Sequence, residues 1–154
     1  MTVLEMYCDG GCRDNQRRIN IGGWGVYLVW GDHTKELKGA AVNTTNNKME
    51  LTAAIEGLRA IKDKRVPTRV YLDSAYVQQG ITKWVPGWIK KGWVTSKKEP
   101  VANKELWQAL IAEKEQFSDI QFLKVRGHAT NVGNNKADAL VNEAMDELLA
   151  EKDA

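Results

Sequence analysis

The sequence has no long apolar run and only a slight excess of one sign of charge. No apolar stretch approaches the roughly 20 residues of a membrane-spanning helix. The N-terminus has no basic segment followed by an apolar one, so no secretion signal is visible. These absences predict a cytoplasmic protein that stays out of the membrane. The 154 residues, 43% hydrophobic and 27% charged, are typical of one globular domain with a buried core.

Cysteine is scarce, and this restricts the metal chemistry of the chain. Cys8 and Cys12 are its two cysteines, and no histidine lies near them in the sequence. Two such residues cannot complete a zinc site, and a disulfide is not expected in a reducing compartment. We therefore predict a buried thiol in a strand at Cys8 and a second thiol in the following loop at Cys12.

Hydrophobic periodicity divides the chain into strands and helices. The predicted strands are residues 2–9, 22–30, 35–42, 69–73 and 120–125. The predicted helices run from 46 to about 63, after 73, around 84–90, from 103 to about 117, and from near 134 onward. The Gly31-Asp32 turn makes the third strand antiparallel to the second, and a helical crossover makes the fourth parallel to the first. This order predicts an α/β fold with a mixed five-stranded sheet and helices on both faces.

Positive charge is concentrated in one segment, although the formal net charge is only +2. Residues 83–104 contain a single acid, Glu99, and six lysines: Lys83, Lys90, Lys91, Lys97, Lys98 and Lys104. Four of the six tryptophans lie in or beside this segment: Trp84, Trp88, Trp93 and Trp107. Clustered basic residues favour nucleic-acid binding. The alternative is that the tryptophans only form part of the core and that the lysines only form a solvated face.

Four acidic residues lie in distinctive local contexts. Asp9 ends the first predicted strand before two glycines, and Glu50 lies at the head of the first helix. Asp73 ends the fourth strand, and Asp138 lies ten residues after His128. Acids in such positions converge at one edge of an α/β sheet, where four oxygen ligands would hold Mg²⁺ rather than zinc. Taken singly, each acid is more typical of a turn, a cap or a first-turn helix position.

The motifs around these acids occur in a specific order. They are Tyr7-Cys-Asp-Gly-Gly-Cys12, Thr44-Thr-Asn-Asn-Lys-Met-Glu-Leu51, Tyr71-Leu-Asp-Ser74 with Tyr76-Val77, Gln79-Gly-Ile-Thr82 and Val125-Arg-Gly-His128. Together they resemble type 1 ribonuclease H of the bacterial kind over nearly the whole chain. The resemblance implies the same mixed sheet, three antiparallel strands followed by two parallel ones. It also implies one catalytic domain over residues 1–154, with a basic handle at about residues 83–104.

The resemblance implies an endonuclease that hydrolyses the RNA strand of RNA–DNA hybrids, leaving 5′-phosphate and 3′-hydroxyl ends. Two Mg²⁺ ions, or Mn²⁺ in their place, would clamp the attacking and leaving oxygens. By resemblance, Asp9 bridges the two ions, Glu50 and Asp73 complete the leaving-group side, and Asp138 binds the ion that activates water. His128 lies in a Gly/Asn-rich loop, and a histidine can carry a proton near neutral pH. We expect His128 to assist the reaction without being essential.

The resemblance also assigns residues to each strand of the hybrid. The predicted contacts to the RNA strand are Cys12, Asn15, Asn46 and Asn47. The predicted channel for the DNA strand contains Trp84, Trp88 and Ser96, and its phosphate pocket contains Thr45 and Asn103. The alternative for Asn46 and Asn47 is helix capping, and the two roles are compatible because a helix N-terminus attracts phosphate. The handle lysines would add salt-sensitive affinity without sequence preference.

Several positions depart from the family pattern. Asn43 stands where many relatives have Arg near the phosphate pocket, and Ala75 stands where the bacterial pattern often has Gln. The loop 15–21 is longer than usual and carries two arginines, which could supply substitute backbone contacts. Pro86-Gly87 separates the two tryptophans of the channel and leaves open whether one continuous helix carries both.

Three other functions fit parts of the pattern. A DNA nuclease of the same fold, of the transposase or resolvase type, is disfavoured by the lysine-rich handle and by Asn46-Asn47. An inactive nucleic-acid-binding module is disfavoured by the presence of all four acids. A two-carboxylate glycosidase would stack sugars on tryptophan, but four acids exceed what that chemistry uses. We expect a monomer that binds an RNA–DNA hybrid.

Overall fold

The computed structural model describes residues 2–14, 19–125 and 131–153. The strands are β1 (Leu4–Asp14), β2 (Asn20–Trp30), β3 (His33–Val42), β4 (Thr68–Leu72) and β5 (Ile120–Lys124). The helices are α1 (Asn46–Ala60), α2 (Ala75–Gln79), α3 (Val85–Lys90), α4 (Lys104–Lys114) and α5 (Val132–Asp153). A π-helical turn, Gly80–Trp84, joins α2 to α3. Over the described ranges, no helix combines the length and apolarity needed to cross a bilayer.

The strands form one mixed sheet in the order β3-β2-β1-β4-β5. The β1–β2 and β2–β3 pairs are antiparallel, whereas the β1–β4 and β4–β5 pairs are parallel. The helical crossover between β3 and β4 passes over the sheet before β4 pairs with β1, as a parallel connection requires. The sequence-based prediction of the sheet is therefore confirmed.

Helices cover both faces of the sheet, because successive residues of a strand point to opposite sides. On one face Met6 and Cys8 of β1 belong to the same fully buried cluster as Leu51 and Leu58 of α1. On the other face, the backbone of β2 at Gly25 lies close to that of α5 at Ala137. A smaller buried cluster lies on this side, comprising Ile21, Val141 and Met145. The apolar stripe of α5 faces the sheet, with Ala137, Leu140, Val141 and Ala144 buried and Leu148 half-buried.

The first strand is longer than predicted. Its pairing with β2 runs without a break from Glu5↔Val29 to Asp14↔Asn20, so Asp9 lies inside the strand and does not end it. Cys12 consequently lies in β1, opposite Gly22, and its predicted place in a loop is wrong. The prediction of a buried Cys8 thiol is confirmed, and both cysteines are free.

Helix ends also differ from the predictions, and local hydrogen bonds explain two of them. α1 ends at Ala60 and not near residue 63, because Ile61 is extended and the Lys64 ammonium donates to the Leu58 carbonyl at 2.7 Å. α4 ends at residue 114, earlier than predicted. α5 begins at residue 132, two residues early, where the Asn131 side-chain oxygen accepts from the Asn134 N–H at 2.7 Å and caps the first turn.

The chain stays helical across Pro86. This residue lies in the first turn of α3, where a missing N–H costs no helical hydrogen bond. The preceding π-helical turn closes with a hydrogen bond from the Val85 N–H to the Gly80 carbonyl. Trp84 and Trp88 therefore lie on one continuous helical path, with their ring centroids 6.0 Å apart.

Candidate active site

Asp9 lies where the central strand loses one of its two neighbours. The parallel pairing of β1 with β4 ends at Cys8↔Leu72, while the pairing with β2 continues through Asp9↔Gly25. The Asp9 carboxylate is 7% exposed, and its Oδ1 accepts from the Gly10 N–H at 2.9 Å. The buried carboxylate therefore lies on the central strand, at the point where β4 no longer pairs with it.

Glu50 reaches the same place from α1. Thr45 is the N-cap of this helix, and its side-chain oxygen accepts from the Lys48 N–H at 3.1 Å. Glu50 lies beyond the first turn, which contains no acid, so the alternative of a first-turn helix acid is wrong. Its carboxylate is 8% exposed, and within the described part of the chain its Oε2 has no hydrogen-bond partner.

Asp73 and Asp138 complete the cluster from two further elements. Asp73 directly follows β4 and is half-buried. Its backbone carbonyl accepts from the Lys124 ammonium of β5 at 2.7 Å. Asp138 lies in the second turn of α5 and is exposed on the side where the helix approaches Asp9. The structure therefore brings together all four carboxylates that the sequence singled out.

The four carboxylates of this acid cluster (Asp9, Glu50, Asp73 and Asp138) lie close enough together to affect the pKa values of Asp9 and Glu50. Burial raises the pKa of Asp9 above its usual range, and a hydrogen bond with Asp138 and repulsion from Asp138 and Asp73 raise it further. Burial also raises the pKa of Glu50, assisted by repulsion from Asp9 and Asp73. The Gly10 N–H opposes both shifts. Two carboxyl groups share a hydrogen bond only when one holds a proton, so a cation would be needed to keep all four ionised.

The donor set fits a hard divalent cation. All four side chains offer oxygen, which Mg²⁺ prefers, and none of the residues that the structure describes donates to the buried Glu50 Oε2. Throughout residues 2–14, 19–125 and 131–153, no three His, Cys, Asp or Glu side chains are close enough together to hold a metal ion as they stand. Asp9 interacts electrostatically with both Asp138 and Glu50, so a cation held among these carboxylates would relieve their repulsion.

The predicted RNA-strand residues lie on two elements. Asn46 and Asn47 are exposed in the first turn of α1, and Cys12 is half-buried in β1. The alternative that the two asparagines cap the helix is wrong, because Thr45 occupies the N-cap. Asn46 and Asn47 therefore present their amides beside an anion-attracting helix terminus. The predictions for Asn15 and His128 lie outside the described residues.

The predicted DNA-strand residues lie around a cleft in the handle. A cavity of about 350 Å³ is lined by Trp84, Gly87, Trp88, Lys91, Val94, Thr95 and Ser96. Trp88 also contacts the fully buried Trp107, with ring centroids 5.4 Å apart. The tryptophans of this segment thus form part of the core and also line the cleft. Both predicted roles, core packing and cleft lining, therefore apply to Trp88. Asn103 is not one of the residues that line this cleft, and its side chain donates to the Tyr76 hydroxyl at 3.2 Å.

Sequence reasoning missed two residues that support the cluster. Lys124 holds the Asp73 carbonyl, and Gly10 allows α1 to approach β1. A Cβ on Gly10 would lie 2.5 Å from the Glu50 nitrogen. The only sequence signal for Gly10 was its place after Asp9, which suggested a turn. A lysine at the end of an edge strand carries no signal.

The sheet order, the helices on both faces and the acids at its centre define a ribonuclease H-like fold. A family model described as RNase H matches residues 1–146. The ribonuclease H of Methylobacillus flagellatus is 47% identical over 147 residues, covering 96% of this chain and 94% of that protein. The ribonuclease H of Hydrogenovibrio crunogenus is 51% identical over 150 residues, covering 96% and 99%. The chain therefore belongs to the ribonuclease H family and is of the type 1, bacterial kind.

Solved structures agree with this assignment. LC9-RNase H1, described as a type 1 RNase H with the type 2 active-site motif, superposes with a TM-score of 0.80 at 30% identity. That match covers 94% of this chain and 72% of the other. LC11-RNase H1, solved in complex with an RNA/DNA hybrid, has a TM-score of 0.68 at 26% identity, covering 95% and 99%. Membership of this family makes the chain a nuclease and supports cleavage of the RNA strand in RNA–DNA hybrids.

Proposed function

We propose that this protein is an endonuclease that cleaves the RNA strand of RNA–DNA hybrids with two divalent metal ions and leaves 5′-phosphate and 3′-hydroxyl ends. The observation that carries the proposal is the convergence of Asp9, Glu50, Asp73 and Asp138 from three different elements and one strand end. Such a site concentrates negative charge where an otherwise repelled phosphate must bind. Cations bound between the carboxylates and the phosphate would remove the repulsion between them.

Within the site, Asp9 would bridge both ions, since its carboxylate interacts with that of Asp138 and with that of Glu50. Glu50 and Asp73 would complete the leaving-group side, and Asp138 the side of the attacking water. Mg²⁺, or Mn²⁺ in its place, would supply charge stabilisation at the phosphate and a more acidic water. Lys124 keeps Asp73 in place, and the Gly10 N–H orients the Asp9 carboxylate. His128 would assist proton transfer or product release.

Substrate recognition would use both sides of the acid cluster. The exposed Asn46 and Asn47 suit a 2′-hydroxyl, which both donates and accepts hydrogen bonds. The Trp84–Trp88 cleft and Ser96 suit the sugar-phosphate path of the DNA strand. The related LC11-RNase H1 was solved with an RNA/DNA hybrid, which supports the same substrate class here. The monomeric state, the cytoplasmic location and the single-domain organisation stay predictions.

The proposed function is tested with strand-labelled duplexes of one sequence. We expect cleavage of the RNA strand of the hybrid, with Mg²⁺ or Mn²⁺ and not with EDTA, because the acid cluster needs cations to accept a phosphate. Duplex RNA and duplex DNA are the controls and should stay intact. Cleavage of duplex DNA at a similar rate would instead favour the transposase- or resolvase-type alternative. Tight binding of an uncut hybrid would favour the inactive binding module.

The contribution of the handle is tested by replacing Lys90, Lys91, Lys97 and Lys98 with Ala. We expect KM to rise and the slope of log KM against log salt to fall by about 0.9 for each phosphate that the variant no longer neutralises. The slope is measured between low and physiological salt with kcat followed in parallel. A matched variant with four other lysines replaced, Lys35, Lys62, Lys114 and Lys152, controls for net charge. An equal change in slope for both variants would show that the handle lysines do not contact the hybrid.

A further inference from the structure

The hydroxyl of Tyr76 accepts two hydrogen bonds, one from Asn103 at the end of the handle and one from Trp107 in α4. The Asn103 amide nitrogen donates to it at 3.2 Å, and the Trp107 indole nitrogen donates at 3.1 Å. Trp107 is fully buried, whereas Tyr76 and Asn103 are half-buried. A tyrosine hydroxyl can accept hydrogen bonds as well as donate one, and here it accepts from both nitrogens. This oxygen therefore fixes the Asn103 amide against a rigid, buried partner.

The backbone of Asn103 is arranged for this contact. Asn103 precedes α4 in the left-handed conformation, with φ of 61°, and its side chain makes no capping hydrogen bond to that helix. An asparagine before a helix would normally use its side chain as the cap. Here one N–H of the amide is taken by Tyr76, and the second N–H of the same nitrogen points away from it. An amide N–H is the group that an acceptor-only phosphate oxygen requires.

Tyr76 also connects Asn103 to the acid cluster. It is the second residue of α2, whose N-cap, Ser74, directly follows Asp73. Its ring lies 6.0 Å from that of Trp84 and 5.2 Å from that of Trp107. The cluster of Tyr76, Trp84 and Trp107 thus spans the distance between Asp73 and the wall of the cleft. The start of α2 and one side-chain hydrogen bond therefore connect Asp73 to the Asn103 amide.

We propose that Tyr76 is a positioning residue for the DNA strand: its hydroxyl orients the Asn103 amide so that the second N–H meets one phosphate, at a distance from Asp73 fixed by α2. This proposal rests on the proposed function and adds a residue that acts through Asn103 without touching substrate. A DNA phosphate held at a fixed distance from Asp73 sets which RNA phosphate opposite it enters the acid cluster.

The proposal is tested with Tyr76→Phe, which removes the hydroxyl and keeps the ring. We expect KM for the hybrid to rise about five- to tenfold with kcat within about twofold. Tyr27→Phe is the matched control, because it deletes the hydroxyl of a half-buried tyrosine in β2, and its KM should stay unchanged. Asn103→Ala and the double variant complete a cycle. The double variant should match Asn103→Ala alone, and additive effects would overturn the proposal.

A second measurement separates this inference from the proposed function. Hybrids carry one uncharged methylphosphonate, moved along the DNA strand position by position. The full-length wild-type protein should lose affinity about tenfold at one position, and Tyr76→Phe should lose less than about twofold there. If both proteins lose affinity equally, Tyr76 has no positioning role while the proposed function stands. If the wild type cleaves hybrid but no position is sensitive, the Asn103 contact is overturned. Failure to cleave any hybrid with Mg²⁺ would overturn the proposed function itself.

Discussion

Replacing Asp9 with Asn is expected to abolish hybrid cleavage, lowering the rate constant of the cleavage step by at least about 10³-fold. Asp9 interacts with both Asp138 and Glu50, so an amide there removes the charge that would be shared between two ions. The Asn side-chain oxygen can still accept from the Gly10 N–H, so the local geometry should persist. Single-turnover cleavage at saturating enzyme measures the effect without interference from binding. A rate within about tenfold of wild type would contradict the bridging role of Asp9.

The same variant should be more stable than the wild type when no divalent cation is present. Burial and repulsion raise the pKa of Asp9 in the folded protein, so its ionised form opposes folding at neutral pH. Removing that charge should increase the free energy of unfolding by about 1–3 kcal/mol at pH 8 in EDTA. Urea unfolding measures this difference. A variant that is inactive but more stable than the wild type must have lost activity through a change in the site and not through unfolding.

Stability of the metal-free wild type should fall as the pH rises. The pKa values of Asp9 and Glu50 are raised by folding, so between the ordinary carboxyl pKa of about 4 and the folded values the native state binds more protons than the unfolded state. The free energy of unfolding therefore decreases through this range. Asp9→Asn should flatten the decline, and Mg²⁺ should reduce it in the wild type alone. Equal pH slopes for the two proteins in EDTA would show that Asp9 carries no such penalty.

The convergence of the acids could be predicted from sequence because it follows from topology. A strand, a crossover helix and a parallel strand place their ends at one sheet edge, so Asp73 could be placed beside Asp9 before any coordinates. The last helix could be placed with its apolar stripe on the sheet, which brings Asp138 near the same edge. These deductions need only the order of elements and not their detailed geometry.

Features that depend on close contacts between distant segments could not be predicted. Gly10 suggested a turn, but β1 continues through it and α1 packs against it. Thr45 and Asn46 are both good caps by residue type, and only the hydrogen bond to the Lys48 N–H distinguishes them. The π-helical turn before Pro86 has no local signature. The two hydrogen bonds to Tyr76 join residues 27 and 31 positions apart in the chain.

Replacing Gly10 with Ala is expected to damage both fold and activity. The added Cβ would lie 2.5 Å from the Glu50 nitrogen and the Met49 carbonyl carbon, and 2.7 Å from the Met49 oxygen. These are backbone atoms of α1, so no side-chain rotation can relieve the clash and the helix must move by about 1 Å. We expect a loss of about 1–3 kcal/mol in the free energy of unfolding. Because Glu50 moves with α1, kcat should fall by about 10²-fold even in the folded fraction.

The neighbouring Gly11→Ala variant is the matched control for this prediction. Among the residues that the structure describes, a Cβ on Gly11 would meet only the Val141 side chain, at 3.8 Å, which is an ordinary van der Waals contact. The two variants make the same chemical change one residue apart on opposite faces of β1, so they share any effect of alanine on the strand itself. Urea unfolding and hybrid cleavage, measured with saturating Mg²⁺, compare them directly. Similar losses in both variants would show that the approach of α1 to β1 at Gly10 does not set the position of Glu50.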